Sequence, residues 1–323
     1  MTSDVAILSP DPALVERATF QLGARQGLEV NGVLEIGQPC IRSHSTVWPL
    51  AFSQGSEAKS NVAYYKQVRL DWMSSSLKEG LARSEALTPR LAEALGPKGI
   101  VPAAVLAIDA DRGAIVTEAL HGTTMNKWGT HKFRNARAAT TLQQLRMLGL
   151  VARHIEEIEC PRQSAADRAC ETRHFGNDLK RADELGAELP LLLTELFADA
   201  SAQVSYVHGD LSNTNVLALK TGLGIIDIGW NVRFKGFDVA CLTHRLEFGT
   251  RAPARWRRRA IAAVLDGYGE LGSAEAGFRF YRMQRLLRVA ARGRPYAARR
   301  ARRRLFEAMR EEPRQAATRE SGS

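Results

Sequence analysis

The sequence has no run of about 18 apolar residues, although apolar side chains make up 45% of its 323 residues. A helix that crosses a membrane needs about 20 such residues, so we expect no transmembrane span. The first residues, Met1 to Asp4, lack the basic stretch and the apolar core of a signal peptide. These absences lead us to expect a cytoplasmic protein.

Paired cysteines are absent as well. The four cysteines, Cys40, Cys160, Cys170 and Cys241, lie far apart, without a Cys-x-x-Cys pair or a paired histidine spacing. A disulfide framework and a structural zinc site are therefore not expected, and we expect buried or unreactive free thiols in a reducing compartment.

Strand patterns dominate the first third of the sequence. Strands are predicted over Glu29–Ile36, Ser45–Phe52 and Val62–Val68, where β-branched and aromatic residues are frequent. A helix is predicted from Ser74 to Leu95, with serines to cap its start and Gly96-Pro97 at its end. Two apolar runs between Ile100 and Leu120 then favour a hairpin.

Helical periodicity dominates after residue 122. Leucine, valine and isoleucine recur every three or four residues from Leu142 to Ile158, and a second helical stretch covers Asn177–Ala200 with a break at Pro190. We therefore predict an α+β protein with a strand-rich part over residues 1–118 and a mostly helical part over residues 119–323.

Chemistry-bearing residues are densest between His208 and Asp227. The segment His208-Gly-Asp-Leu-Ser-Asn-Thr-Asn215-Val-Leu is followed by Ile-Ile-Asp227. Phosphoryl transfer depends on positioning and on neutralising phosphate charge. Asp210 can orient the proton of an acceptor hydroxyl, while the oxygens of Asn215 and Asp227 are hard ligands suited to magnesium.

This pattern resembles the aminoglycoside phosphotransferase and choline kinase superfamily and, more distantly, the catalytic loop of protein kinases. The resemblance implies a two-lobed, protein-kinase-like fold that uses ATP and Mg²⁺. It implies that Asp210 is the catalytic base and that Asn215 and Asp227 are the metal ligands. His208 would brace the catalytic loop, and Asp238 in Phe-Asp-Val-Ala would support it.

The resemblance also extends to the nucleotide site, expected in the cleft between the lobes. Lys66 matches the strand lysine that contacts the phosphates, and Glu85 matches its helix partner, with Glu79 as the alternative. The segment that contains Glu118, Ala119 and Leu120 matches the hinge whose backbone binds adenine. The phosphate-covering loop is poor in glycine, and Ser43 and Ser45 are the candidates there for phosphate contacts.

The acceptor is suggested by the distribution of charge. Residues 251–310 contain 17 arginines and 4 acidic residues, a balance of +13 in a chain whose net charge is +10. A solvated helical face is the simplest interpretation. A functional one is an anionic acceptor, because in this superfamily the C-terminal helices build the acceptor side, and such charge disfavours cationic aminoglycosides.

Several interpretations of the arginine-rich segment 251–310 remain open. The acceptor is expected to be a small molecule or a glycan, and a lipid-linked glycan would place the protein at the inner face of an anionic membrane. The amphipathic segment Arg285–Arg292 suits such a surface. Nucleic acid is disfavoured because no reading motif is present.

Two alternatives to a small-molecule kinase remain. A protein kinase is disfavoured because Phe237 follows Asp227 by only ten residues, which leaves no room for a long activation segment. A non-catalytic pseudokinase that binds nucleotide and acts as a scaffold through its basic tail is the other. The sequence gives no indication of the oligomeric state or of a preference between ATP and GTP.

Overall fold

The computed structural model describes residues 9–26, 34–52, 61–125, 136–160, 162–212, 214–249, 252–292 and 295–320. These residues form two compact units. The first contains the described residues up to Met125 together with Ser212–Asn231, and the second contains those from 136 to Leu211 and from Val232 onward. The predicted division at residue 118 did not anticipate that the chain returns to the first unit for Ser212–Asn231.

The described part of the first unit is built mainly of strands, with two long helices. In chain order they are α1 (Pro12–Gln26), β1 (Leu34–Ile36), β2 (Cys40–Ile41), β3 (Ser45–Phe52), β4 (Asn61–Val68), α2 (Ser75–Leu95), β5 (Ile100–Pro102), β6 (Val105–Asp109), β7 (Ala114–Glu118), β8 (Thr123–Thr124), β10 (Val216–Ala218) and β11 (Leu223–Ile225). Strands β10 and β11 belong to Ser212–Asn231, the segment in which the chain returns to the first unit.

An antiparallel sheet in the order β1-β3-β4-β7-β6 forms the larger part of this unit, and β2 pairs with β3. Alternation along β3 and β4 turns Trp48, Leu50 and Tyr65 into the core on one face of the sheet. Strand β3 has the predicted bounds, and β4 begins one residue before its predicted start. The predicted strand over Glu29–Ile36 lies partly outside the described residues.

Helix α1 covers one face of this sheet and was not predicted. Its residues Leu14, Ala18 and Leu22 recur every four positions and are buried against the sheet. Helix α2 has its predicted start, since the Ser74 side chain accepts a hydrogen bond from the Leu77 N–H at 3.2 Å. Pro89 lies inside this helix without ending it.

A second, smaller sheet in the first unit has the order β5-β11-β10-β8. Strands β10 and β11 form an antiparallel hairpin in which Val216 lies opposite Ile225. Strand β5 runs parallel to β11. The predicted hairpin between Ile100 and Leu120 is therefore formed by β6 and β7, while its first residues, Ile100–Pro102, pair in a different sheet.

The second unit is mostly helical. Its elements are α3 (Ala136–Glu157), α4 (Ala165–Leu185), α5 (Leu189–Ser201), β9 (Val204–Val207), β12 (Asn231–Phe234, whose first residue belongs to the first unit), α6 (Phe237–Phe248), α7 (Ala254–Tyr268), α8 (Glu275–Arg292) and α9 (Pro295–Glu320). The predicted break at Pro190 is found two to four residues earlier, between α4 and α5, and Pro190 lies in the first turn of α5, where proline is well tolerated.

Aromatic side chains hold the centre of the second unit. Phe175 stacks on Phe197 with 4.1 Å between ring centroids, and Phe197 meets Phe280 edge to face at 5.5 Å. Phe280 in turn lies 5.7 Å from Phe234. Offset and edge-to-face pairs of this kind add about 0.5–1.5 kcal/mol each beyond the burial of their area. Together with the antiparallel sheet of the first unit, the helices of the second unit confirm the predicted α+β class and the predicted helical second half of the chain.

Candidate functional site

The β10–β11 hairpin brings two predicted metal ligands to the same end of the small sheet. Asn215 immediately precedes β10, and Asp227 follows the end of β11 by two residues. Because the strands are antiparallel, the start of one lies beside the end of the other. The Ile226 N–H donates to the Asn215 carbonyl at 3.0 Å, which extends the ladder toward both residues.

Lys66 reaches the same place from the large sheet. Its Nζ donates to the Asp227 Oδ1 at 2.7 Å, although the two residues are 161 positions apart in the sequence. Both side chains are partly buried, at 21% and 31% exposure. The first unit therefore joins a phosphate-binding candidate and a metal-binding candidate in one charge-assisted contact.

The backbone after β11 is strained. Asp227 has φ 62° and Trp230 has φ 47°, values that residues with a side chain rarely adopt. The Trp230 ring is fully buried and its Nε1 donates to Thr88 Oγ1 at 3.1 Å, while Arg83 donates to its carbonyl at 3.1 Å. Strain held by such contacts is characteristic of functional segments.

Helix α2 lies directly against this strained segment. A Cβ at Gly80 would lie 2.1 Å from the Gly229 carbonyl oxygen, so only glycine allows the observed approach. Ser76, one turn earlier, is 3.5 Å from the side-chain oxygen of Asn231. The position of α2 is thus tied to the residues that immediately follow Asp227.

The predicted partner of Lys66 on α2 is not found in the described part of the chain. Glu85 is exposed, and nine residues from Ser76 it lies about half a turn away from the face that contacts the strained segment. The alternative, Glu79, forms an ion pair with Arg83 at 2.7 Å. The structure therefore pairs Lys66 with Asp227, and it does not bring Glu85 to Lys66.

The predicted glycine-poor phosphate loop is only partly accessible. The Ser43 hydroxyl is exposed and lies 3.0 Å from His44 Nδ1. Ser45 is fully buried, and its Oγ has no hydrogen-bond partner among the described residues. Ser45 cannot contact a phosphate in this conformation, which corrects that part of the prediction and leaves Ser43 as the candidate.

Two backbone N–H groups of the predicted hinge are hydrogen-bonded within the first unit. The N–H groups of Glu118 and Ala119 donate to the Ala104 and Val62 carbonyls, both at 2.9 Å. Among the described residues no such bond uses the Leu120 N–H. Of the three predicted residues, Leu120 is therefore the one with a backbone donor available to a base.

In the second unit, Asp238 organises the loop that follows β9. Its carboxylate is fully buried and accepts hydrogen bonds from the N–H groups of His208, at 2.6 Å, and Gly209, at 3.1 Å. His208 is buried too, and its Nδ1 lies 3.4 Å from the Asp210 N–H. Both side chains thus contact the backbone of the loop that follows β9, and their supporting roles stay predictions.

Asp210 has a charged neighbour that the sequence did not indicate. Arg245 on α6 donates to the Asp210 Oδ1 at 2.6 Å, and 54% of the Asp210 side chain is exposed. No local pattern links residues 35 positions apart, so only the packing of α6 beside the loop reveals the pair. The arrangement holds the carboxylate in one orientation while leaving it accessible.

Positive charge surrounds this part of α6. Burial, followed by the charges of Arg285 and Arg282, lowers the pKa of His244 to about 3. Arg285 also donates to Cys241 Sγ at 2.8 Å, and burial raises the pKa of that thiol to about 11. The region behind Arg245 is therefore electropositive and contains a neutral histidine.

Two arginines of the predicted membrane-facing segment have partners inside the second unit. Arg288 forms an ion pair at 2.8 Å with the buried Asp178, and Arg285 contacts Cys241. The Arg292 side chain lies outside the described residues. The structure thus gives Arg288 a carboxylate partner and Arg285 a thiol contact inside the second unit.

The oxygen ligands at the hairpin end fit a magnesium ion. Magnesium is commonly bound by one or two protein oxygens, and substrate phosphates and water complete its shell. Asn215 and Asp227 supply an amide and a carboxylate of this kind. Within the described residues no group of three or more His, Cys, Asp or Glu side chains could hold a metal by itself, and no described helix has the length and apolarity of a membrane span.

Comparison with known proteins places this geometry in a structural context. No protein-family model matches the sequence, and no curated protein sequence matches it. Among solved structures, aminoglycoside phosphotransferase APH(4)-Ia is 13% identical, with 85% of this chain and 93% of that one covered and a TM-score of 0.51. Amicoumacin kinase hAmiN, solved with AMP-PNP, Ca²⁺ and Ami, is 14% identical over 84% and 88% of the two chains, with a TM-score of 0.50.

A choline kinase from Cryptosporidium parvum Iowa II is also similar, at 10% identity over 88% and 91% of the chains and a TM-score of 0.47. The similarities to APH(4)-Ia and to hAmiN cover most of both chains. They show that this chain has the kinase-like α+β fold of the aminoglycoside phosphotransferases, as the resemblance of its motifs implied.

Proposed function

We propose that the protein is an ATP- and magnesium-dependent phosphotransferase whose acceptor is a hydroxyl group on an anionic, non-protein molecule. The observation that carries the proposal is the contact between Lys66 and Asp227 beside Asn215, at the end of the β10–β11 hairpin. This is the combination of one cation and two hard oxygen ligands that a nucleotide triphosphate with magnesium requires.

Each proposed role follows from the chemistry of the side chain. Lys66 neutralises phosphate oxygens, and Asn215 and Asp227 would hold a magnesium ion, which would supply positive charge beside the phosphates. Asp210 orients the acceptor hydroxyl and takes its proton as the hydroxyl oxygen bonds to the γ-phosphorus. The bond from that phosphorus to the β,γ-bridging oxygen breaks, and ADP and a phosphomonoester are released.

An anionic acceptor is supported by the surroundings of Asp210. Arg245 contacts the carboxylate itself, and Arg282 and Arg285 contribute to the low pKa of His244 on the same helix. A cationic aminoglycoside would be repelled by this charge, whereas a phosphorylated or acidic sugar would be attracted. A lipid-linked glycan carries the same negative charge and belongs to the same proposal.

The test is transfer of labelled γ-phosphate from ATP with magnesium to separate pools of neutral sugars, sugar phosphates, glycolipid extract, aminoglycosides and protein. We expect labelling of an anionic pool that falls at least about 1,000-fold in Asp210→Asn, since one group supplies both orientation and proton transfer. Asp183→Asn, an exposed aspartate on α4, is the matched control and should retain wild-type activity.

Two outcomes would reject the proposal. Retention of ATP binding without transfer to any pool would favour the pseudokinase, and labelling of the protein pool alone would favour a protein kinase. Labelling of aminoglycosides in preference to sugar phosphates would reject the anionic acceptor while leaving the phosphotransferase intact.

A further inference from the structure

A cavity of about 570 Å³ in the second unit is lined mainly by arginines of α7 and α9. They are Arg257 and Arg258 from α7, and Arg299, Arg300, Arg303 and Arg304 from α9. The volume lies within the range of about 300–1,000 Å³ that is typical of small-molecule sites.

The charge of this arginine cavity is only partly balanced. Its lining contains six arginines and one acidic residue, Glu247, a balance of +5. Arg300 and Arg304 each lie 3.2 Å from Glu247 Oε1, and Arg282 approaches the other oxygen at 3.8 Å. One carboxylate thus serves three guanidinium groups, and Glu307 on α9 adds ion pairs with Arg303 at 3.4 Å and Arg304 at 2.8 Å.

Apart from Arg303, the remaining arginines of the arginine cavity have few partners. Arg257 donates to the Ala252 carbonyl at 2.6 Å, but its Nε is buried without a hydrogen-bond partner among the described residues. Burial and then the charge of Arg300 lower the pKa of Arg257. Within the part of the chain that the structure describes, Arg258 and Arg299 have no ion pair. Crowded like charges of this kind are stabilised by an anion.

The arginine cavity faces away from the catalytic loop. Arg245 and Glu247 are two residues apart on α6, which separates their side chains by about 200° around the helix. Arg245 contacts Asp210, whereas Glu247 contacts Arg300 and Arg304 of the cavity. The two sets of residues therefore lie on different sides of α6.

We propose that the arginine cavity is a second ligand site, which binds a small anion with two or more phosphate groups. Guanidinium groups match phosphate oxygens in paired hydrogen bonds, so several arginines around one cavity select phosphate over a single carboxylate. The site goes beyond the phosphotransferase, because none of its residues takes part in the proposed transfer. A soluble diphosphate and a phosphorylated lipid headgroup present the same chemistry.

The test compares two double variants that remove the same charge from the same two helices. Arg258→Gln with Arg299→Gln removes two cavity arginines, and Arg259→Gln with Arg302→Gln removes two exposed arginines outside the lining. Binding of inorganic pyrophosphate is measured by calorimetry at fixed ionic strength without magnesium. A parallel Lys66→Ala variant reports any pyrophosphate bound at the proposed nucleotide site.

We expect the cavity variant to bind pyrophosphate at least tenfold more weakly than wild type, and the control variant and Lys66→Ala to stay within about twofold, since each paired guanidinium–phosphate contact is strong. Equal weakening in both double variants, no binding by wild type, or loss only in Lys66→Ala would overturn the proposal. None of these readouts depends on phosphate transfer, so failure of the enzyme proposal is seen separately.

A second experiment, sedimentation with lipid vesicles, identifies the source of the phosphate. Wild type is sedimented with phosphatidylcholine vesicles that contain or lack a phosphorylated phosphoinositide. Sedimentation that requires the phosphoinositide and is lost only in the cavity variant assigns a lipid headgroup, and pyrophosphate binding without sedimentation assigns a soluble anion. Sedimentation that falls equally in both double variants would show a diffuse charge effect and reject the cavity as the site.

Discussion

At the scale of single residues, the site depends on positions where one atom decides the geometry. Gly80 is such a position, because the α2 backbone touches the Gly229 carbonyl two residues after Asp227. Trp230 is held at positive φ just beyond it, with its ring and carbonyl both hydrogen-bonded. The conformation of Asp227 is therefore fixed by its neighbours as much as by its own ion pair.

We expect Gly80→Ala to lower the free energy of unfolding by about 1–3 kcal/mol, the usual cost of forcing an extra group into a packed contact. The new Cβ would lie 2.1 Å from the Gly229 oxygen, so either α2 or the strained segment must move. Because the strained segment follows Asp227 directly, the affinity for ATP in the presence of magnesium should also fall. Urea unfolding and a nucleotide titration measure the two effects.

Gly176→Ala is the matched control for that substitution. Gly176 lies inside α4, and a Cβ there would have no heavy atom of the described residues within 4 Å, apart from its chain neighbours and the backbone of its own helix. Alanine is the better helix former by about 1 kcal/mol, so this variant should be slightly more stable than wild type. Equal stability of the two variants would contradict the close contact at Gly80.

At the scale of elements, α3 and α6 are joined by a buried carboxylate that sequence analysis did not single out. Glu156 on α3 accepts a hydrogen bond from the Gly236 N–H at the start of α6, at 2.8 Å, and another from the Tyr268 hydroxyl on α7. Burial raises its pKa from 4.5 to about 7, with a further contribution from the charge of Asp238. The same end of α6 carries Asp238, which accepts hydrogen bonds from the loop that follows β9.

This raised pKa predicts a specific dependence of stability on pH. The folded state holds the proton of Glu156 more tightly than the unfolded state, so its contribution is complete below about pH 4.5 and is lost as the pH rises through about 7. A displacement of this size corresponds to about 3 kcal/mol. Glu156→Gln keeps an oxygen acceptor and should match wild type at pH 5 but exceed its stability at pH 8.

Denaturant unfolding of both proteins at the two pH values measures this difference. Glu157→Gln, at the neighbouring position, is the control. The hydrogen bond and charge of Arg153 contribute to the lowered pKa of Glu157, so this carboxyl titrates only at acid pH. The difference in stability between Glu157→Gln and wild type should therefore stay constant between pH 5 and 8. A difference between Glu156→Gln and wild type that does not change with pH would contradict the buried, protonated carboxyl.

At the scale of the whole molecule, charge is distributed unevenly. The net charge is +10, and the basic residues concentrate in the C-terminal helices of the second unit, around Arg245 and around the arginine cavity. Fields of this kind raise the local concentration of anionic substrates, and dissolved salt screens them within about 10 Å at 0.1 M.

We expect the rate with a sugar-phosphate acceptor, at saturating ATP and limiting acceptor, to fall several-fold between about 0.02 M and 0.3 M sodium chloride, since screening shortens the reach of the arginines. The rate with the corresponding neutral sugar is the control and should change little. Equal salt dependence of the two acceptors would show that the effect lies in nucleotide binding or in folding. The measurement is kcat/KM for each acceptor across the salt series.

Much of the fold could be predicted because its signals are local. Strands β3 and β4 alternate, α2 has a serine cap and a glycine exit, and the spacing of His208, Asp210, Asn215 and Asp227 is carried by one continuous stretch of chain. Helix α1 was missed although Leu14, Ala18 and Leu22 follow a helical period. The neighbouring strand patterns dominated the interpretation of that region.

The sequence alone determined the α+β class, the candidate catalytic and metal-binding side chains and the concentration of arginine near the C-terminus, because these follow from residue type and short-range spacing. Only the tertiary structure decided which charges meet. It paired Lys66 with Asp227 and not with Glu85, set Arg245 on Asp210, buried Ser45, and collected arginines of α7 and α9 around one cavity. Such contacts join residues tens to hundreds of positions apart, and packing alone selects among the many pairs that charge permits.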